Sequence, residues 1–345
     1  MNLKEIAKEA NVSPSTVTMV IHNRSGVGDK TRERIRKLLQ ENGYSIDTAE
    51  FEEGEPNFAP NSNRNKNIYF LKFIRHGSLV NGNAGFVSSI IDSVEKESRK
   101  RGFNLVMIGV NPLNIEEVIA SIKSQSPDGI LFLATEFSSD LVDYLDQLPK
   151  PVVVIDNFMP NCNVSSVNMN NAEAVHTSIK HLVELGHKEI GFLYNNMPSS
   201  NCEARLKAYT EALAYFGLKF DHKLVYRVPS DLTTSSDYIS SLIEKGQIFP
   251  PALMATNDTI AIGAMRAFKK HKIRVPADIS LIGFDDIVYS AVSDPPLTTI
   301  HISTKEMGIW AVRLLCSRMQ AHDASPVKLQ VSGTLIKRKS TGPAK

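Results

Sequence analysis

The chain has 345 residues, which is longer than one typical domain and enough to bury large apolar cores. Its 39 Lys and Arg residues nearly balance 37 Asp and Glu residues, so the net charge of +2 indicates no particular class of partner. Widely spaced cysteines, no apolar run of about 18 residues and a charged, amphipathic N-terminus argue against a disulfide framework, a membrane span and a signal peptide. We therefore expect a cytoplasmic protein of more than one domain, with no metal and no cofactor.

The first 42 residues predict a helix, a tight turn and a second helix, followed by a third helix over about residues 30–42. Ser13 is suited to cap the second helix and Pro14 to begin it, because the serine oxygen accepts an orphan N–H and proline has none. Asn11 lies at the turn, where a positive φ is often required. The apolar positions of the first two helices are Leu3, Ile6, Ala7, Ala10, Val17, Val20 and Ile21.

Three such short helices bury little apolar area, and units of this kind usually present their second helix to a DNA major groove. Residues 1–46 carry eight Lys and Arg against five Asp and Glu, a modest basic excess. The alternative is that these are ordinary helices of a larger globular domain. The residues predicted to contact DNA are those of the outer face, Ser15, Thr18, Met19 and His22, and the flanking Ser13, Thr16, Asn23, Lys30 and Thr31.

Residues 47–63 hold five acidic and no basic residues, with two prolines and several asparagines, which is typical of a solvated linker. The predicted domains are therefore a DNA-binding headpiece at residues 1–46, a linker or atypical hinge at 47–66 and a core at 67–340. Such an acidic linker is poorly suited to lie against phosphates.

The core alternates apolar strands with amphipathic helices, which predicts an α/β fold with parallel sheets covered on both faces. Two such series imply two doubly wound lobes. We expect an N-lobe at residues 67–164 and 298–322, and a C-lobe at 165–297 and 323–340. The predicted strands are residues 68–74, 104–110, 129–133, 152–155, 189–194, 224–228, 252–255, 280–284 and a strand-like stretch at 327–337.

Polar side chains follow three predicted strands: Asp156, the pair Asn257 and Asp258, and Asp285 with Asp286. Ligands of open parallel sheets bind beyond the carboxyl ends of the strands, so these groups should line a cleft between the lobes. Turn formation or helix capping is the alternative role for each, and for Asp258 the cap is the preferred interpretation.

These side chains are typical of groups that hold a ligand rather than react with it. Asp285 and Asp286 are adjacent, so their side chains diverge and do not resemble a catalytic carboxylate pair. The glycine-containing turn at residues 82–85 is weak evidence for a phosphate site because it lacks the spacing of a nucleotide fingerprint. With no Ser/His/Asp set or metal cluster at the strand ends, the sequence favours a non-enzyme.

Taken together, the headpiece, linker and two α/β lobes resemble the LacI/GalR family of bacterial transcription repressors over nearly the whole chain. The core of that family is in turn similar to periplasmic sugar-binding proteins. The stretches that carry the resemblance are residues 3–18 and 30–35 in the headpiece, and residues 181–187, 257–265, 283–286 and 295–300 in the core.

The resemblance implies a homodimer that binds a roughly palindromic operator, with a small molecule between the lobes shifting the affinity for DNA. It assigns Arg205 and Asp285 as hydroxyl clamps and Asn257 as a further polar contact. Asp156 and Phe86 match positions that line the pocket in some members, with a core or turn role as the alternative. A sugar or sugar derivative is the expected effector, and nucleosides and sugar phosphates fit the same polar groups.

Two departures from the family pattern stand out. Many members have arginine where this chain has Met19 and asparagine where it has His22, so the operator should differ from the common half-site. The hinge positions that are alanine and leucine in the family match Glu50 and Glu53 here. Because a carboxylate is unfavourable in the minor groove, we expect DNA binding without the usual kink, or insertion of Phe51 instead.

The function predicted from sequence is a ligand-responsive transcription regulator, with a catabolic repressor as the expected type. A sugar-binding module of an uptake system is the first alternative and an enzyme is the second. The headpiece and the missing export signal argue against the first, and the lack of a Ser/His/Asp order, a metal cluster or a phosphate loop at the strand ends argues against the second.

Overall fold

The computed structural model describes residues 3–21, 27–41, 66–82, 84–149, 151–159, 161–321 and 325–345. The chain divides into two compact units, residues 1–61 and residues 62–345. His22, Asn23 and most of the predicted linker, including Glu50, Phe51 and Glu53, lie outside the described residues.

The first unit contains the three predicted helices: α1 (Leu3–Glu9), α2 (Pro14–Ile21) and α3 (Asp29–Glu41). The predicted turn is confirmed, because Asn11 has φ +52° and the Thr16 N–H donates to Ser13 Oγ at 3.2 Å. Pro14 is the first residue of α2, as expected. The small core of this unit consists of Ile6, Ala7, Ala10, Val17, Val20, Ile35 and Leu39.

The second unit begins with a parallel sheet of six strands in the order β11-β5-β4-β3-β1-β2. We call this sheet with its helices the N-lobe. Its elements are β1 (Asn67–Phe73), α4 (Ser78–Gly82), α5 (Ala84–Lys100), β2 (Asn104–Val110), α6 (Ile115–Gln125), β3 (Gly129–Leu133), α7 (Val142–Gln147), β4 (Val152–Ile155), β5 (Ser165–Met169) and, from later in the chain, α13 (Thr304–Gln320) and β11 (Lys328–Val331).

The remaining elements form the C-lobe around a parallel sheet of four strands in the order β7-β6-β8-β9. Strands β10 and β12 form an antiparallel pair, and Thr298, just before β10, bridges to Ile282 of β9. The elements are α8 (Asn171–Glu184), β6 (Ile190–Asn195), α9 (Ser200–Tyr215), β7 (Val225–Val228), α10 (Leu232–Glu244), β8 (Ala252–Ala255), α11 (Asp258–Lys270), β9 (Ser280–Ile282), α12 (Val288–Val292), β10 (Thr299–Ile302) and β12 (Gly333–Ile336).

The strand pairing differs from the predicted lobe limits at three places. Strand β5 pairs with β4 in the N-lobe sheet, although residues from 165 onward were expected in the C-lobe. Strand β11 also joins the N-lobe sheet, whereas β10 belongs beside the C-lobe sheet. The single strand expected at residues 327–337 is two strands in different sheets, because the chain crosses between lobes near residue 332. Pairing of distant segments is not encoded in the local apolar pattern.

Buried apolar strands hold both lobes together. One core cluster runs from Phe70 and Val153 of the N-lobe to Phe192 and Met254 of the C-lobe, and each sheet has a second cluster on its other face. Within the described part of the chain, no helix has the length and apolarity needed to cross a membrane. The continuous core positions the carboxyl ends of the strands of both sheets around a common cavity.

Candidate functional site

A cavity of about 50 Å³ lies where strands of both lobes end. The lining includes residues at or just after the carboxyl ends of β3, β4, β5, β6, β8 and β9, as expected for a parallel α/β sheet. Apolar lining comes from Leu79, Phe86, Val87, Met169 and Cys202. The polar lining residues are Thr135, Asp156, Asn195, Ser199, Asn201, Arg205, Thr256, Asn257 and Asp285.

All five residues predicted to contact an effector line this one cavity: Phe86, Asp156, Arg205, Asn257 and Asp285. They come from α5 of the N-lobe, from α9 and from three strand ends, and are separated by up to 199 positions along the chain. The structure therefore brings the predicted set together. Their role in binding remains a prediction.

Arg205 on α9 contacts both lobes at once. Its Nε donates to Asn171 Oδ1 at 2.9 Å, Nη1 to the Thr256 carbonyl at 2.5 Å and Nη2 to Met169 Sδ at 2.8 Å. The guanidinium lies 3.6 Å from the ring centroid of Phe284, and its Nη2 lies 3.6 Å from Asp285 Oδ1. Because the side chain is buried, these contacts replace its hydration.

Asn201, one helical turn before Arg205, links the lobes through a second set of hydrogen bonds. Its Nδ2 donates to Asp156 Oδ1 at 2.8 Å, and its Oδ1 accepts from Asn168 and Asn171 at 2.9 Å each. Asp156 Oδ2 also accepts from Thr135 Oγ1 at 2.7 Å. Burial raises the pKa of Asp156 to about 6 despite these bonds and the nearby Arg205.

The two adjacent carboxylates after β9 have different roles. Asp285 is buried and faces Arg205 in the cavity, with a backbone φ of +104°. Asp286 instead pairs with Arg338 at 2.6 Å and with His301 Nδ1 at 3.1 Å. Only the first of the pair lines the cavity, consistent with the expectation that adjacent side chains diverge.

The predicted cap at the start of α11 is wrong by one residue. Asn257 is the N-cap, since its Oδ1 accepts from the Ile260 N–H at 3.0 Å. Asp258 is fully buried, and its carboxylate accepts from the Ser290 and Thr299 hydroxyls and from the Ile287 N–H. Asp258 therefore fixes α12 to α11, and Asn257 both caps the helix and lines the cavity.

Several lining residues were not predicted from the sequence. Asn195 ends β6, so the strand-end rule that selected Asp156 would also have selected Asn195. Asn201 lies four residues before Arg205 on the same helix face, a spacing visible in the sequence. Ser199 caps α9, and Thr135 follows β3 within two residues.

The loop at the cavity edge is held by one carboxylate. Glu136 accepts five backbone N–H bonds between 2.8 and 3.2 Å, from Arg75, His76, Gly77, Leu79 and Val80. Burial favours the neutral acid, but the amides outweigh it and hold the pKa of Glu136 below its usual value. Because Leu79 lines the cavity, Glu136 positions part of the wall without lining it.

In the headpiece, the described side chains of the predicted DNA-contacting set face outward to different extents. Ser13, Thr18 and Lys30 are exposed, and Thr16, Met19 and Thr31 are half-buried. Ser15 lies in the first turn of α2. His22 and Asn23 lie outside the described residues, so they stay predictions.

Two family models match the chain. Residues 2–47 match the bacterial regulatory proteins of the lacI family, and residues 179–341 match a periplasmic binding protein-like domain. The HTH-type transcriptional repressor PurR of Haemophilus influenzae (strain PittEE) is 27% identical over 346 residues, covering 98% of each chain.

Two solved structures share the fold. A transcriptional regulator CelR-cellobiose complex is 25% identical, covers 99% of both chains and superimposes with a TM-score of 0.71. A lac repressor dimer bound to operator and the anti-inducer ONPF gives the same TM-score at 22% identity, with 99% of both chains covered. The chain therefore joins a helix-turn-helix headpiece that matches the lacI family of bacterial regulatory proteins to a core that matches a periplasmic binding protein-like domain, and it is similar over 98% of its length to a transcriptional repressor.

Proposed function

We propose that this protein is a homodimeric transcription repressor whose operator affinity is set by a small, sugar-like effector bound between the lobes. The observation that carries the proposal is the cavity in which Asp156, Arg205, Asn257 and Asp285 converge, in a chain that also has a helix-turn-helix headpiece. The CelR relative is named as a cellobiose complex, which supports a sugar-like ligand.

Effector binding and lobe movement are coupled in this proposal. Drug-sized ligands occupy pockets of roughly 300 Å³ or more, whereas the cavity measures about 50 Å³. A sugar therefore enters only if the lobes separate or the contacts of Arg205 and Asn201 rearrange. Since those two side chains link the lobes, the ligand has different affinities for the open and closed arrangements, which is the thermodynamic requirement for a switch.

A non-enzymatic, cytoplasmic role completes the proposal. The relative from Haemophilus influenzae is named as a transcriptional repressor. Among the described residues, no group of three His, Cys, Asp or Glu side chains is arranged to hold a metal ion. An enzyme would consume a ligand that stabilises the protein, whereas a regulator would not. An uptake module would show no preference for any DNA sequence.

The decisive experiment is selection of duplexes from a random library by the purified full-length protein, followed by gel shifts with and without sugars. We expect one roughly palindromic site to be enriched and its affinity to change at least about tenfold with one sugar. A protein that shows no preference over random competitor DNA, with or without sugars, contradicts the proposal.

Replacing Met19 by arginine is expected to change the preferred half-site. Methionine offers only apolar contact, for example to a thymine methyl, whereas arginine bonds guanine bidentately, worth about 1–3 kcal/mol of discrimination. Selections with the wild type and with Met19→Arg should differ by a gain of guanine at one position in each half-site. Met19→Leu is the matched control and should keep the wild-type site. Identical selected sites for all three proteins would remove Met19 from base reading.

Helix α12 supplies exposed apolar surface suited to a dimer contact. Val288, Tyr289 and Val292 are 83%, 67% and 75% exposed, and clustered exposed apolar side chains typically mark an interface. We expect Tyr289→Asp combined with Val292→Asp to weaken dimerisation at least about tenfold, measured by analytical ultracentrifugation, because charge is then buried without a partner. Ile248→Asp, at a residue that is 86% exposed elsewhere, is the control. Unchanged dimerisation in the α12 variant would exclude this face.

A further inference from the structure

In the side-chain amide of Asn195, the oxygen has a hydrogen-bond partner and the nitrogen has none among the described residues. Asn195 ends β6, is fully buried and lines the cavity. Its Oδ1 accepts the Met197 N–H at 2.9 Å, while its Nδ2 has no hydrogen-bond partner among the residues that the structure describes. An unpaired donor in a buried site costs stability unless something that enters the cavity accepts its bond.

The orientation of this amide is determined by its surroundings. If the oxygen and nitrogen were exchanged, the NH₂ group would face the N–H of Met197, so two donors would oppose each other. The backbone is fixed as well, because the Asn195 N–H donates to Thr256 Oγ1 at 2.9 Å and that hydroxyl donates to the Leu193 carbonyl at 2.8 Å. The unpaired N–H groups are therefore preorganised.

The formal charge of the lining disfavours an anion. Among the described residues that line the cavity, two carboxylates, Asp156 and Asp285, stand against one cation, Arg205. Burial raises the pKa of the Cys202 thiol, so it stays neutral and adds no charge. A phosphate would place further negative charge beside two buried carboxylates, with only one guanidinium to offset it.

We propose that Asn195 determines effector specificity by donating from Nδ2 to an oxygen of an uncharged, hydroxyl-bearing ligand. This inference rests on the proposed function and narrows it to unphosphorylated sugars. Asp285 and Arg205 hold hydroxyl groups elsewhere on the same molecule. A ligand that lacks the acceptor oxygen leaves the Asn195 donor buried and unpaired, and so is rejected.

The charge part of the inference is tested by calorimetric titration of the full-length protein. The probes are D-glucose, D-galactose, D-ribose and cellobiose, beside glucose 6-phosphate, galactose 6-phosphate and ribose 5-phosphate. We expect a neutral probe to bind, and its phosphorylated counterpart to bind at least about tenfold more weakly. Binding of phosphorylated probes alone, or of no probe, overturns the inference.

Variants of Asn195 test the hydrogen bond with the neutral probe that binds. Asn195→Ala should weaken binding at least about tenfold. Asn195→Asp should weaken it more, because the carboxylate still accepts from Met197 but replaces the donor by a third negative charge. Asn196→Ala, at the exposed neighbouring asparagine, is the matched control and should bind as the wild type does. Melting temperatures of all three report any folding defect.

Monodeoxy analogues of that probe distinguish ligand recognition from a structural role. One analogue should lose affinity for the wild type and lose nothing further on Asn195→Ala, since the two changes remove the same bond. The inference is overturned if every analogue loses the same affinity for the wild type as for Asn195→Ala. It is also overturned if Asn195→Asp binds the neutral probe as tightly as the wild type does. If DNA selection succeeds and a sugar still alters it while Asn195→Ala binds normally, only this inference fails and the proposed function stands.

Discussion

Replacing Arg205 by alanine is expected to lower the free energy of unfolding by about 3–5 kcal/mol and to weaken effector binding at least about 100-fold. The change removes the donors to Asn171 and to the Thr256 carbonyl, and leaves Asp285 buried without its cation. It also removes the guanidinium stacked on Phe284. Urea unfolding followed by circular dichroism measures the first effect, and calorimetric titration with the sugar that binds the wild type measures the second.

Two further variants separate charge from packing at this position. Arg205→Lys keeps the cation but cannot reproduce three differently directed bonds, so we expect it to fold better than Arg205→Ala and still to bind the sugar poorly. Lys207→Ala, two residues along α9, removes an exposed cation whose side chain is 78% exposed and should change little. Effector affinity within about threefold of wild type in Arg205→Ala, well short of a tenfold change, would contradict the assignment of Arg205 as a clamp.

The elements that sequence predicted well are those specified by neighbouring residues. The turn at Asn11 and the cap at Ser13 depend on contacts within three or four positions, and both are confirmed. Strand β4, with four consecutive β-branched residues, is found where it was predicted. Asp156 and Asp285 follow their strands directly, so the strand-end rule alone selected residues that the fold brings to one cavity.

The elements that were missed depend on pairing between distant segments. Strand β5 reads Ser-Ser-Val-Asn-Met, a polar run that becomes a buried strand only because β4 and β11 pair with it. Arg205 has no local feature that marks it as buried, since its partners come from three other segments, near residues 169–171, 256 and 284–285. The resemblance to a family supplied that residue, whereas the periodicity of α9 did not.

Asp156 and Asp258 should make stability fall as the pH rises from about 4 to about 6. Burial raises the pKa of each carboxyl to about 6 from an ordinary value of 3.8. Within that range the folded chain binds more protons than the unfolded chain, so deprotonation costs folding free energy. A pKa shift of this size corresponds to a contribution of about 3 kcal/mol by each carboxyl to the free energy of unfolding, and this contribution is fully lost above the pKa of the folded chain. Close packing preserves the burial of Asp258, because a Cβ at Gly283 would come within 2.0 Å of its Oδ1.

Two buried histidines titrate in the same pH range and change the stability in the opposite direction. Burial lowers the pKa of His181 and His187, so these side chains add stability as the pH rises. The total curve therefore mixes both effects, and single variants are needed to isolate the carboxyls. Asp156→Asn and Asp258→Asn preserve the shape, since an amide can donate to the Thr135 or Thr299 hydroxyl that the carboxylate accepted from.

Urea unfolding at pH 4 and pH 7 should show each amide variant gaining stability relative to wild type by about 2 kcal/mol over that interval, because the variant no longer has to create that buried charge. Asp294→Asn provides the control: Lys269 lowers the pKa of this exposed carboxyl below its ordinary value of 3.8, so its contribution changes mainly below pH 4 and the variant should differ little from wild type in its response over the interval. A difference between wild type and Asp258→Asn that stays constant across the interval would mean that the buried carboxyl does not titrate in it.

Asp156 adds a functional consequence: its proton is present or absent in the cavity itself, so the affinity for a neutral sugar should change with pH in the wild type and not in Asp156→Asn.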